Sequence, residues 1–370
     1  MVNGLEIQNL LGQMVEIPSE STHEERISEF LGDSLSSKSL RVGHHRFNTY
    51  ATIGSNQLDA ATLLFVSHID TVATTPSWTI DPYKPTIKDG RMYGLGSNDA
   101  KASIAAMVHA LLDVNNSDLP EQLARKNQAI TFIAAAEEEI AGWNGFRGMV
   151  DQFQNIKAAV IGEPTSLRIG NSQRGREVID FTTHGRSSHS SRPYEGVNAA
   201  TKLVEELGNI FSWYQELFAD NTDAPTLEVT ILKSGEKTNQ LPYEALATLD
   251  SRTTAQFSGA LILATMDQQK LYPDTNIVGR EQNSVVAKFT PESSPLIIAV
   301  KRILEESGVN PVTYAYTAAS DLVFVPSDAQ GIVLGPGDSN QSHQANESVN
   351  LNQVITAQKV YSGIMRGFKL

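Results

Sequence analysis

Thr62-Leu63-Leu64-Phe65-Val66-Ser67-His68-Ile69-Asp70 is the stretch on which the fold turns. It opens with five β-branched, apolar or aromatic residues and becomes polar only at its end, which suits a strand buried inside a sheet. Residues 130–134 and 158–161 repeat the pattern, and residues 102–112, between the quoted stretch and the first of these, are strong helix formers. Thr22-x-x-Glu25 has the form of a capping box opening a helix through Phe30 and Leu35. Strands alternating with helices imply an α/β fold with a mainly parallel sheet covered on both faces.

The character changes after Gly175. Residues 178–182 alternate with period two, 198–218 form a long amphipathic helix, and 226–232 and 246–252 read as strands. A helix near 261–269 and strands at 275–278 and 284–289 complete a strand-helix-strand-strand-helix-strand order, that of a small α+β module. The α/β pattern resumes near Pro291, with a helix through Ile303 and a last helix over 352–365. The expected organisation is a larger domain, 1–175 with 290–370, into which residues 176–289 are inserted.

Composition narrows the function. The formal net charge of −13 disfavours a nucleic-acid partner, whose phosphates call for a basic surface. Cysteine is absent, so disulfides, thiolate metal sites and cysteine nucleophiles are excluded. Residues 1–15 read as an amphipathic helix rather than a signal peptide. No apolar run reaches the roughly 20 residues that span a bilayer, so a soluble, cytoplasmic protein is expected.

Chemistry-bearing residues follow the predicted core strands, and in open α/β sheets ligands bind beyond the strands' carboxyl ends. After the first strand come His68 and Asp70, which share a side if the strand continues, so that Asp70 can fix the ring of a ligating His68. Asp99 follows the tight turn Gly94-Leu95-Gly96 at a helix start, where an Asp could also serve only as an N-cap. Glu137-Glu138-Glu139 follows the second strand; a solvated turn is the usual reading of a charge run, but it loses ground where the acids follow buried sequence directly. Glu163 follows the third strand, where it could be only a turn residue before Pro164. His343 follows Gly335-Pro336-Gly337 and, alone, could be an exposed loop histidine. Together the five segments supply two imidazoles and several carboxylates, a donor set suited to zinc, cobalt or manganese rather than calcium or magnesium.

With these segments in hand, the chain resembles the dinuclear-zinc M20 metallopeptidase and deacylase family over essentially its whole length. The resemblance is carried by Ser67-His68-Ile69-Asp70, Gly94 to Lys101, the acidic triplet, Gly162-Glu163-Pro164-Thr165 and His343. It implies a phosphorylase/hydrolase-like catalytic domain and an inserted ferredoxin-like lid and dimerisation domain. It further implies two Zn2+ ions, replaceable by Co2+ or Mn2+. Asp99 would bridge them, His68 and Glu163 would complete one site, and Glu139 and His343 the other. Asp70 would support His68, and Glu138 would be the general base. His189, in Ser188-His189-Ser190, matches a histidine that reaches the partner subunit's site, and Asn239 and Arg252 match substrate-binding positions. Three departures stand out: Glu137 replaces a common Asp, Ala318-Ala319 replaces Gly-Thr, and Ala102 replaces a frequent Gly.

The implied reaction is hydrolysis of an N-acyl amino acid, N-acetylornithine or a close relative in amino-acid (arginine) biosynthesis, by a metal-bridging hydroxide. A succinyl-diaminopimelate desuccinylase, a general aminoacylase or a dipeptidase are the alternatives. A non-catalytic relative kept for binding is a remoter one, because such chains generally lose ligands or base. The expected partners are the small-molecule substrate and a second copy of the chain, held through residues 176–289.

Overall fold

The computed structural model describes residues 4–38, 40–219, 221, 223–281 and 284–370. The chain divides into two compact units, residues 1–172 with 289–370 and residues 173–288. In the first, α1 (Gly4–Val15), α2 (Glu25–Ser36), β1 (Arg41–His45), β2 (Asn48–Gly54) and β3 (Ala61–His68) precede β4 (Thr86–Lys88) and β5 (Arg91–Tyr93). Next come α3 (Lys101–Asn115), α4 (Leu119–Arg125), β6 (Gln128–Ala135), α5 (Phe146–Met149), β7 (Ile156–Ile161) and β8 (Ile169–Gln173). The second unit is β9 (Glu177–His184), α6 (Ala199–Phe218), β10 (Glu228–Ser234), β11 (Glu244–Ser251), α7 (Gly259–Gln269) and β12 (Asn276–Gly279). The chain returns through β13 (Lys288–Phe289), α8 (Pro295–Glu306), β14 (Thr313–Tyr316), β15 (Gln330–Val333), β16 (Ser348–Asn350) and α9 (Leu351–Gly367).

The central sheet runs β1-β2-β6-β3-β7-β15-β8-β13, with β14 on β8. Its heart, β6-β3-β7-β15, is parallel throughout. Alternation sorts the side chains of these strands onto two faces. Leu63, Phe65, Ile130, Phe132 and Val160 join one core with α1, α3, α8 and α9. Leu64, Val66, Ile133, Ala159 and Ile161 join the other, with Phe146, Met149 and Leu322. Phe65 meets Tyr361 edge-on at 5.8 Å, and the Tyr361 hydroxyl donates to the Leu334 carbonyl. Burying each such chain is worth ~1.5–3 kcal/mol, so the strands are fixed from both sides. Because they are parallel, their carboxyl ends emerge at one edge: His68, Ala136, Gly162 and Leu334 are neighbours there.

Two local expectations change. Thr22 does not cap α2; it sits at φ +74° and donates its N–H to the Glu24 carboxylate, while Glu24 occupies the N-cap without a side-chain capping bond. Glu24 is instead recruited by the acidic triplet, as described below. The strand expected over 284–289 shrinks to β13, with Val285 making only an isolated bridge to Arg176. Residues 282 and 283, and the first three residues of the expected N-terminal helix, lie outside the described residues.

In the second unit the antiparallel order is β10-β11-β9-β12, the ferredoxin-like arrangement. Ile179, Phe181, Ala247 and Leu249 face Leu203, Ile210, Ile262 and Met266 of the two helices. Asn198 starts α6 by accepting the N–H groups of Ala200 and Thr201, and Ser258 starts α7 by accepting that of Leu261. β10 is an edge strand whose Leu232 is 58% exposed, an apolar edge that a monomer ordinarily protects.

Candidate metal centre

The first unit brings His68, Asp70, Asp99, Glu138, Glu139, Glu163 and His343 to the carboxyl edge of its parallel strands. His68 ends β3 with its ring fully buried. Nε2 lies 3.1 Å from Asp99 Oδ1 and 3.8 Å from Glu163 Oε2. Nδ1 is 2.9 Å from the Asp70 carbonyl but 3.6 Å from its carboxylate. The closer tie that orients the imidazole is therefore to the backbone of Asp70.

The Asp70 carboxylate holds the acidic turn. The N–H of Glu138 donates to Oδ1 at 3.0 Å and that of Glu139 to Oδ2 at 3.2 Å, with the Ser21 hydroxyl at 2.7 Å. The N–H of Glu137 donates to Glu24 Oε1 at 3.0 Å. Three consecutive amides are thus each received by a carboxylate, which fixes where their side chains leave. Glu137, at φ +53°, turns away and accepts from the Asn144 backbone and amide. Glu139 turns to His343, with Nε2 2.9 Å from Oε2. Glu138 points toward His68 and Glu163. The triplet therefore divides among three tasks.

Asp99 lies between the halves, 3.1 Å from His68 and 3.9 Å from His343. It follows the Gly94–Asn98 loop through a cis peptide to Ala100, not as an N-cap. Glu163 reaches the cluster from the end of β7, beyond Gly162, where a Cβ would lie 2.7 Å from Ser103 and Met107.

So many acids in one buried place cannot all carry charge unaided. Burial, reinforced by neighbouring carboxylates, pushes Glu163 and Glu138 well above the usual carboxylate range, and Glu139 upward too. For His68 burial works the other way, but Glu163, Asp70 and Asp99 outweigh it and hold the imidazolium well above its usual value. Burial also acts on Asp99, where the His68 hydrogen bond prevails and holds it low. Divalent cations would remove this conflict. One observation points the same way: Glu163 Oε1 is buried with no hydrogen-bond partner among the described residues, although buried carboxylate oxygens ordinarily find one. His68, Glu138 and Glu163, and likewise His68, Asp99 and Glu139, present ligand atoms within 4.8 Å of one another. Imidazole and carboxylate donors at this spacing fit zinc-class cations.

Four supporting residues escaped the sequence reading. Glu24 and Glu347 are buried carboxylates that accept backbone N–H groups of the ligand loops; burial pushes them up to about 7 and about 8. Lys101 donates to the carbonyls of Met14 and Ile17 at the end of α1, and burial brings its ammonium down to about 7. Asp321, buried beside Glu138, is pushed up by burial to about 7. Glu347 had one visible signal, its place four residues beyond His343.

The remaining expected residues are in the second unit. His189 is exposed; its Nδ1 faces the Ser191 hydroxyl at 2.8 Å, and it bridges to Gln240. The Ser190 N–H donates to the Asn239 carbonyl, so His189 and Asn239 are neighbours. Arg252 is not with them. Asn239 precedes β11 and Arg252 follows it, and the strand's eight residues rise about 3.4 Å each, placing them at opposite ends. Beside Arg252, Asp250 pairs with Arg176 at 2.6 Å and with Arg252 at 3.2 Å, and Arg174 donates to the Arg252 carbonyl. That puts two guanidinium groups, of Arg176 and Arg252, on one carboxylate.

No helix among the described residues is long and apolar enough to cross a membrane. The family described as Peptidase family M20/M25/M40 matches residues 64–367. The chain is 26% identical to a probable succinyl-diaminopimelate desuccinylase of Staphylococcus epidermidis, over 97% of this chain and 96% of that protein. It is 27% identical to an acetylornithine deacetylase of Klebsiella pneumoniae, over 91% and 88% of the two. Among solved structures, aminopeptidase PepT from Bacillus cereus matches the whole of both chains with TM-score 0.72 and 19% identity. The YXEP protein of Bacillus subtilis, described as a dinuclear metal binding peptidase, matches 98% of this chain and 97% of its own with TM-score 0.67 and 12% identity.

Proposed function

Because the chain belongs to peptidase family M20/M25/M40 and so is a metal-dependent amide hydrolase, we propose that it deacylates an N-acyl amino acid, N-acetylornithine foremost. Two zinc-class ions would be held, one by His68 and Glu163, the other by Glu139 and His343, with Asp99 shared. The observation that carries this reading is the division of the acidic triplet, which leaves Glu138 beside the ligands with no task in the fold of the turn.

Cations bound there would polarise the scissile carbonyl and let water ionise near neutral pH. Glu138 takes the proton of the attacking water and returns it to the leaving amine nitrogen. Asp70 keeps Glu138 and Glu139 in place through their N–H groups and keeps His68 Nε2 turned inward through its carbonyl. Arg252 receives the substrate carboxylate, to which a guanidinium fork is matched.

His189 and Asn239 would serve the site of a second copy. Two features support a homodimer: the apolar open edge of β10, and the separation of His189 and Asn239 from Arg252 by the length of β11. Mixing inactive Glu138→Gln chains with inactive His189→Ala chains under exchange conditions should then restore activity. Half the dimers would be mixed, with one competent site each, so about a quarter of wild-type activity is expected. A mixture as inactive as its parts would place His189 in its own chain's site or outside catalysis.

A second reading, an N-succinyl substrate, is favoured by the surplus of Arg176 and Arg252 over the single carboxylate of Asp250, which suits an additional carboxylate. The experiment that tests the function is a hydrolysis screen with zinc or cobalt present, across N-acetyl amino acids, N-succinyl amino acids and dipeptides. N-acetylornithine should give the highest kcat/KM. Turnover of dipeptides alone would replace deacylation with dipeptidase activity.

A further inference from the structure

We infer that Glu347 is a positioning residue for the metal centre: its carboxylate clasps the loop that delivers Asp99 to the segment that delivers His343. The inference rests on reading Asp99 and His343 as ligands. Glu347 is only 2% exposed. Its Oε1 accepts the N–H groups of Asn98 at 2.7 Å and Asp99 at 2.8 Å, and its Oε2 accepts that of Gly96 at 3.0 Å. Its carbonyl accepts the Gly94 N–H at 3.1 Å. Amides of one loop converging on a point make an anion-sized concavity. Here the anion is a side chain from 248 residues away.

Register explains how it gets there. β16 pairs antiparallel with β5, Ser348 opposite Tyr93, so Glu347 comes next to Gly94 as the ladder ends. The segment from His343 to Glu347 is pinned along its length. His343 and Asn346 both sit at φ +60°. Asn346 accepts from the backbone and hydroxyl of Thr79, and Gln341 accepts from the Ser348 N–H. Asn98 adds a second tie to the same region, donating to the Asp338 carbonyl at 3.1 Å and accepting its N–H at 2.8 Å.

The two halves of the centre therefore differ in how they are built. His68 and Glu163 arrive on β3 and β7, rigid strands buried in both cores. Asp99 and His343 arrive on loops, and the carboxylate of Glu347 sets one relative to the other. Loss of that carboxylate should loosen most the half formed with Glu139 and His343, where His343 and the shared Asp99 both arrive on loops, and less the half in which His68 and Glu163 stand on strands beside Asp99.

The test uses Glu347→Gln, which keeps the size of the side chain but turns one acceptor arm into a donor facing loop amides. Wild type and variant are stripped with chelator and titrated with Co2+, following bound cobalt per chain and the visible absorption, with circular dichroism of each apo protein as the control for folding. The first cobalt should bind within about threefold of wild type, and the second about 10–100-fold more weakly with an altered visible band. Matching affinities and spectra would overturn the inference. A lower apo melting temperature with unchanged cobalt binding would also overturn it, as the mark of a merely structural residue. If Glu347→Gln does not fold, Glu347→Asp, which retracts the charge by one methylene, is read the same way; failure of both to fold assigns Glu347 to the fold and overturns the inference. Wild type that takes up no cobalt overturns the metal reading itself, a result distinct from a variant-specific change.

Discussion

Glu138→Gln should retain its metal ions and lose about 10²–10⁴-fold in kcat, the usual contribution of a positioned proton acceptor. The amide has the size of the acid, and no supporting hydrogen bond of the turn depends on the Glu138 carboxylate; the turn is held by Glu24 and Asp70 through backbone N–H groups. What disappears is the group that takes the proton. Burial and the neighbouring acids Asp321 and Glu139 raise the proton affinity of Glu138, which suits a residue that must hold a proton between attack and departure of the amine. Metal analysis together with steady-state kinetics checks both halves of the expectation. Full metal content with kcat within tenfold of wild type would move the base to another acid, Asp321 being the buried carboxyl beside it.

Asp99→Ala should be the more damaging change, since Asp99 lies between the two histidines, 3.1 Å from His68 and 3.9 Å from His343, and is read as the ligand that the two ions share. We expect metal content to fall from two ions per chain to one or fewer, with activity at background. Stability should respond too. An ion present at about 1,000 times its Kd stabilises the fold by ~4 kcal/mol, so stripping the wild type with chelator should lower its melting temperature by several degrees. The variant, already depleted, should shift much less. Equal shifts in the two proteins would show that Asp99 is not a ligand.

Much of this centre was legible because parallel strands announce themselves. β3, β6 and β7 are buried on both faces, so their sequences are continuous apolar runs, and whatever polar residue follows such a run stands at the ligand-binding edge. His68, the acidic triplet and Glu163 were found by that logic. Their supports were not, because the support comes from far along the chain. Glu24 drew no reading of its own, and its partner Glu137 is 113 residues away. Glu347 looked like loop, and its partner Asp99 is 248 residues away. Asp70 was read as the carboxylate behind His68; that carboxylate stands 3.6 Å from Nδ1, and the sequence showed neither the closer backbone carbonyl at 2.9 Å nor the second task of the side chain in holding the triplet. Periodicity sees windows of a few turns; convergence of distant backbone amides on one carboxylate leaves no trace in them. The Thr22 capping box failed similarly, since Glu24 was drawn away to a tertiary task.

The position of β15 has a consequence for how the chain acquires its structure. β15 lies between β7 and β8, and α9 packs against α3, so the central sheet is completed by residues that follow the second unit. During synthesis β7 must wait, one edge open, while more than a hundred residues of the insertion emerge. Closing so long a loop costs little extra free energy, because the entropy grows only with the logarithm of length. It does cost time, because distant pairings form slowly. Ribosome-bound chains ending before β15 should therefore hold a folded 173–288 unit beside an unfinished sheet, with the exposed edge of β7 the place where such intermediates aggregate or recruit chaperones.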